Sequence, residues 1–321
     1  MNLGRPQLRA WIAAAAALAA VLTLALAASG CSVVEQAEGG DVSARKVRVT
    51  ATTNFIADTA RNVGGDRVEV TGLMGPGVDP HLYRASAVDV RTLRDADVIF
   101  YGGLHLEGKM GELLERLAEH QPTVAVSRTM PERELLERAP GEHDPHVWFD
   151  VGLWKHAVDA IRDGLIARDP AHARTYRENA AAYQRRLDAL DAYAREGIAS
   201  IPRAKRLLVT SHDAFTYFGR RYGLQVAAIQ GISTAAEATT HDIQRVARLL
   251  AERGVGTVFV ESSVPKQTLE AVVAAARARG QEVRIGAELY ADAAGDAGTE
   301  EGTYLGMVRA NVDHIVEGLT R

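Results

Sequence analysis

The chain has 321 residues, and at roughly 150 residues per domain that length points to two domains. Its apolar fraction of 47% supplies ordinary cores, while 24% charged residues and a net charge of −4 exclude nucleic acid as the expected partner. A single cysteine excludes an internal disulfide.

Arg5 and Arg9 precede the uncharged run WIAAAAALAAVLTLALAA, residues 11–28. About 18 apolar residues lie at the border of a membrane span. The small residues of ASGC, ending in Cys31, read instead as a cleavage site. A small-residue run ending in Cys resembles the bacterial lipoprotein signal, whose Cys becomes the lipidated N-terminus. The alternative is an uncleaved anchor helix. Residues 1–30 are accordingly read as a signal peptide, and 31–45 as a lipidated Cys31 with a flexible tether. Everything beyond is expected outside the cytoplasm, anchored to a bacterial cell membrane.

From Lys46 the pattern becomes regular. KVRVTAT alternates as a strand, NFIADTARNVGG reads as a helix ended by glycine, and DRVEVTGLM is a second strand. A loop, GPGVDPHLY, follows. SAVDVRTLRDA is helical, DVIFYGG is a buried strand, MGELLERLAEH is helical and PTVAVS is a strand. Residues 127–146 are polar and irregular, with Pro131, Pro140 and Pro145. A helix then runs to RDP at 168–170. The second half repeats the rhythm: strand RLLVT, helix DAFTYFGRRYG, strand QVAAIQG, helix THDIQRVARLLAERG, strand GTVFVES, helix PKQTLEAVVAAARARG and strand QEVRIGAEL. A last helix spans about Thr303 to Leu319. Alternating strands and helices predict an α/β fold with mainly parallel sheets.

Between the halves, residues 171–201 lack proline and have no glycine before Gly197. Tyr176, Ala180, Tyr183, Leu187, Leu190 and Ala194 recur at spacings of three and four, one apolar stripe on a helix about 40 Å long. The expected organisation is a 46–170 lobe, a rigid 171–201 linking helix and a 202–321 lobe, with the site in the cleft between the lobes.

The tripeptide Asp-Pro-His occurs twice, as Asp79-Pro80-His81 and Asp144-Pro145-His146. His212 follows the strand at 206–210, and Asp292 and Asp296 follow the strand near 282–289. Ligands of open α/β sheets bind beyond the carboxyl ends of strands, so two facing sheets would gather these loops. Imidazole and carboxylate together suit a first-row divalent metal. Proline restricts itself and the residue before it, so each His projects from a stiff corner. Asp79 and Asp144 are candidate acceptors for orienting the rings. His143 competes with His146, which alone repeats the corner; Asp292 and Asp296 are not separated by spacing.

The motifs PGVDPHLY, GLHLEGKM, DPHVWFD, TSHDAFTYFGRRYGL, FVESSVPKQTLEAV and AELYADAAGDAGTEEGTYLGMVRANVDHIV resemble those of the zinc/manganese solute-binding lipoproteins of ABC transporters, the TroA-like metal receptors. The resemblance runs from about Lys46 to the C-terminus. It implies metal ligands at His81, His146, His212 and Asp292, choosing Asp292 over Asp296. It also implies Zn2+ or Mn2+ as transported ligand rather than catalytic cofactor, and delivery to an ABC permease membrane subunit with its ATPase. The chain is expected to be a monomer and not an enzyme. Many manganese receptors of this kind carry Glu where this chain has His212, and several zinc receptors carry a His-rich loop where 127–145 has only His143. Zinc and manganese therefore both stay open. Two other readings use the same ligands: a secreted hydrolase, with Glu237 or Glu261 as general base, and a surface adhesin with a structural metal.

Overall fold

The computed structural model describes residues 42–321; the expected signal peptide, Cys31 and the tether as far as Asp41 lie outside the described residues. The first half builds a parallel sheet of β1 (Val47–Ala51), β2 (Val68–Gly72), β3 (Val98–Tyr101) and β4 (Thr123–Ala125), in the order β2-β1-β3-β4. Val47, Val49, Thr50 and Ala51 of β1 are all buried, as a strand covered on both faces requires. Helices α1 (Asn54–Gly64), α2 (Ala87–Arg94) and α3 (Gly111–Ala118) make the crossovers. Their starts follow from side-chain chemistry. Thr53 accepts the Ile56 amide at α1, and Ser86 with Asp89 forms a reciprocal box at α2.

The segment expected to be irregular contains an antiparallel hairpin, β5 (Glu137–Ala139) and β6 (Glu142–His143), whose turn uses Gly141 at φ 79°. Helix α4 (Val151–Arg168) follows, capped by Asp150, which accepts from the amides of Gly152 and Leu153.

The linking helix, α5, spans Ala173–Ser200, about 42 Å at 1.5 Å per residue. It buries the expected stripe and adds Ile198. That stripe packs against α4, α1 and the last helix, so α5 is braced from both halves of the chain.

The second half contains β7 (Leu207–Thr210), α6 (Thr216–Tyr222), β8 (Gln225–Ala228), α7 (Thr240–Arg253), β9 (Thr257–Val258), α8 (Gln267–Arg277), β10 (Arg284–Ile285) and α9 (Tyr304–Thr320). β7 pairs with β8 and β9 with β10, both parallel. The Phe259 amide donates to Val209 O at 2.9 Å and stitches the two ladders together. The spatial order β8-β7-β9-β10 therefore repeats that of the first half. β9 and β10 are shorter than the sequence predicts. Gly286 N bonds Val258 O, but the next rung is Leu289 N to Val260 O, so one extra residue bulges out of the ladder. The bulge turns the chain toward Asp292. α6 also starts later than predicted, because a tight turn with Ala214 N on His212 O occupies residues 212–215.

The largest hydrophobic cluster runs from Val42 to Leu319 through both lobes. Phe149 stacks on Phe215 with centroids 4.3 Å apart, and Trp154 on Tyr304 at 5.1 Å. Smaller clusters fill the outer side of each lobe, around Leu93 and Ile99 in the first and Val209 and Leu250 in the second. Among the described residues no helix is long and apolar enough to cross a membrane.

Candidate metal centre

Four loops deliver the site. His81 lies in the loop between β2 and α2, His146 follows the hairpin, His212 lies two residues past β7, and Asp292 follows the bulge beyond β10. The structure brings all four together: each offers a ligand atom, and these atoms lie within 4.8 Å of one another. All four residues are buried, His81 most exposed at 4%. His143 is half-buried on β6 and Asp296 is exposed, and neither belongs to the cluster.

The repeated corner now has a physical reason. Asp79 Oδ1 accepts the His81 amide at 2.8 Å, and Asp144 Oδ1 accepts the His146 amide at 2.9 Å. In both, a carboxylate closes a turn across a proline that has no N–H to compete. The corners then diverge. Asp144 Oδ1 also takes the Nδ1 proton of His146 at 2.7 Å, whereas the other oxygen of Asp79 accepts from the Thr234 hydroxyl of the second lobe. Of the two corner aspartates, Asp144 alone orients a ring.

Glu261 does the same for His212. One carboxylate oxygen accepts the His212 amide at 2.9 Å, and the other takes the ring Nδ1 proton. Carboxylates only accept, so Nδ1 carries a proton in both rings and both Nε2 atoms face the cluster, where each can coordinate an ion once its own proton has left. His146 Nε2 is 3.3 Å from His81 Nε2 and 3.3 Å from His212 Nε2. Asp292 places Oδ1 3.5 Å from His146 Nε2 and Oδ2 3.4 Å from His212 Nε2. Bonds of 2.0–2.1 Å from a tetrahedral ion imply ligand atoms about 3.3 Å apart. These four separations are close to that value, and all the ligand atoms lie within 4.8 Å of one another. Asp292 Oδ1 is buried and makes no hydrogen bond.

Ionisation tells the same story. Burial pushes the His81 ring down to about 4, a neutral imidazole at physiological pH. Burial also opposes charge on His146 and His212, but Asp144 outweighs it at the first and Glu261 with Asp292 at the second, so both rings titrate above the usual histidine value. Burial raises the Asp292 carboxyl, yet His212, His146 and His81 together hold it well below the usual range. The cluster stabilises positive charge at its centre.

The walls are fixed as firmly. Trp148 packs on the His146 ring with centroids 5.1 Å apart and donates Nε1–H to Ala291 O at 3.1 Å, beside Asp292. Asn54 forms a paired bond with the Ala294 backbone, at 2.8 and 2.9 Å. Sequence reasoning missed the Asn54 tie and weighed Glu261 only as a candidate base of the alternative hydrolase reading, not as the partner of His212. The signal for Glu261 was its place in GTVFVE, an acid closing a buried apolar run. Glu237, the other candidate base, is exposed.

Two α/β lobes closed over a small buried cluster and braced by one long helix are the build of a solute-binding receptor for a very small solute. Comparison with known proteins gives that class its family. The family model described as zinc-uptake complex component A, periplasmic (ZnuA), matches residues 49–318, and the chain belongs to this family. It is 50% identical to the zinc-binding protein TroA of Treponema pallidum over 276 residues, 86% of this chain and 90% of that protein. It is 46% identical to the manganese-binding lipoprotein MntA of Bacillus subtilis over 303 residues, 94% of this chain and 98% of that one. The solved structure of the periplasmic zinc-binding protein TroA from Treponema pallidum superposes with a TM-score of 0.85 at 49% identity, covering 86% of this chain and all of that one.

Proposed function

We propose that this chain is an extracytoplasmic receptor that captures one zinc or manganese ion and passes it to an ABC-type permease for import. His81, His146 and His212 supply three nitrogens and Asp292 one oxygen to the ion. The observation that carries the reading is the spacing of these donors, 3.3 to 3.5 Å along the edges measured, with an unpartnered carboxylate oxygen among them. Four protein donors leave no open position for a substrate water, which a catalytic zinc site keeps. Glu261 is committed to His212 and holds no proton-transfer position.

Three nitrogens favour zinc over manganese in affinity, and zinc binds such a set more tightly whichever ion is the cargo. Relatives named for each metal support carriage of either. Relatives named lipoproteins support a lipid anchor at Cys31, with the protein held outside the membrane beside a permease subunit and its ATPase. In this reading residues 46–170 and 202–321 are the two lobes, 171–201 is the strut, and the receptor works as a monomer. Calorimetric titration of the soluble chain with Zn2+ and Mn2+ tests the proposal. One ion per chain is expected, and absence of tight binding by both metals rejects it.

A further inference from the structure

The hairpin β5–β6 belongs to the first lobe but is fastened to the second. The Leu136 amide donates to the Tyr217 hydroxyl of α6 at 2.9 Å, and that hydroxyl donates to Asp144 O at 3.0 Å. Asp144 N in turn bonds Leu136 O at 2.9 Å. At the centre of the hairpin, the Arg138 guanidinium lies 2.9 Å from Asp144 Oδ2 and 3.4 Å from Asp213 Oδ2. Asp144 orients the ring of His146, and Asp213 is the residue after His212. One cation thus joins the backing of a ligand in one lobe to the neighbour of a ligand in the other.

We propose that this hairpin is a strap across the cleft, and that Arg138 is a positioning residue whose bridge between Asp144 and Asp213 sets how fast the bound ion leaves. The inference rests on the metal-receptor reading above. Separating His146 from His212 opens the enclosure around the ion. A shared core and the braced α5 oppose a wide hinge movement, so a local break is the accessible one. Separating the two histidines strains the Arg138 bridge and the Tyr217 bonds directly. Arg138 is also more exposed than the two carboxylates it bridges. Its side chain is 32% exposed against 0% for Asp144, and it lines an open cavity of about 770 Å³ with Asp213, Glu237, Asp242 and Arg245.

A plain electrostatic role for Arg138 predicts the opposite sign from a strap. Removing a nearby cation lessens repulsion of the bound ion and leaves Asp144 a stronger acceptor, so charge alone makes release slower. Loss of a strap makes it faster. The experiment loads wild type, Arg138→Met, Arg138→Lys and Asp213→Asn with Zn2+ and follows release into excess chelator by stopped flow. Groups behind metal ligands typically change affinity by 10- to 100-fold, so Arg138→Met is expected to release zinc about tenfold faster or more. Arg138→Lys, which keeps the charge but reaches one aspartate at a time, is expected to fall between. Asp213→Asn is expected to speed release and covers the case in which the Met variant does not fold. Amide exchange of the ion-free proteins is a second readout: residues 136–143 should exchange faster in Arg138→Met while α5 is unchanged.

Release from Arg138→Met at or below the wild-type rate, or unchanged exchange at 136–143, overturns the strap while leaving the receptor reading intact. Failure of wild type to bind zinc or manganese overturns both.

Discussion

Glu261→Gln isolates the orienting carboxylate without touching a ligand. Glu261 presents two acceptor oxygens to two donors of one residue, the His212 amide and its ring Nδ1–H. Glutamine has one acceptor and one donor in the same place. If its oxygen keeps the amide, its NH2 faces Nδ1. The ring then either meets a donor with a donor or moves its proton to Nε2, which removes the lone pair aimed at the cluster. The buried negative charge that supports a positive centre is lost in either case, and His212 sits above the usual histidine range because Glu261 and Asp292 outweigh burial. Loss of such a partner weakens metal binding by about 10- to 100-fold, or about 1.4–2.7 kcal/mol. Competition against a fluorescent zinc chelator at pH 7.5 measures it. An affinity within about twofold of wild type, in a variant that folds normally, would refute the orienting role.

The pH dependence has a definite sign. His146 and His212 both hold protons above the ordinary value of 6.5, and the ion must displace them. Affinity should therefore fall as pH drops from 8 toward 6, by up to about tenfold per unit for each displaced proton; chelator competition at three pH values checks this, and a flat profile contradicts it. Phe149→Ala removes a fully buried ring stacked on Phe215 between the lobes. It should cost about 3–5 kcal/mol of stability, read as a lower urea midpoint, and a loss under about 1 kcal/mol shows the shared core to be looser than the packing implies.

Local signals carried most of the fold. The Tyr176-to-Ala194 stripe specified α5 because a helix with one buried face repeats every three to four residues. The two Asp-Pro-His corners were readable because the carboxylate, the proline and the amide it closes upon lie within three residues. What escaped was non-local. Glu261 reaches His212 across 49 positions, and Asn54 reaches Ala294 across 240. No periodicity encodes such pairs. β9 and β10 were predicted too long because apolar runs look alike whether they stay in register or bulge. Residues 137–143 read as irregular for the converse reason: a polar two-rung hairpin fastened through Arg138 and Tyr217 has no apolar pattern to detect.

Anomalous diffraction from crystals of the zinc-loaded chain, recorded at the metal edge, locates the ion relative to the loops of both lobes. One ion is expected, bonded at about 2.0–2.2 Å to Nε2 of His81, His146 and His212 and to a carboxylate oxygen of Asp292. An ion held elsewhere, or one bound by the loops of a single lobe, would contradict this expectation.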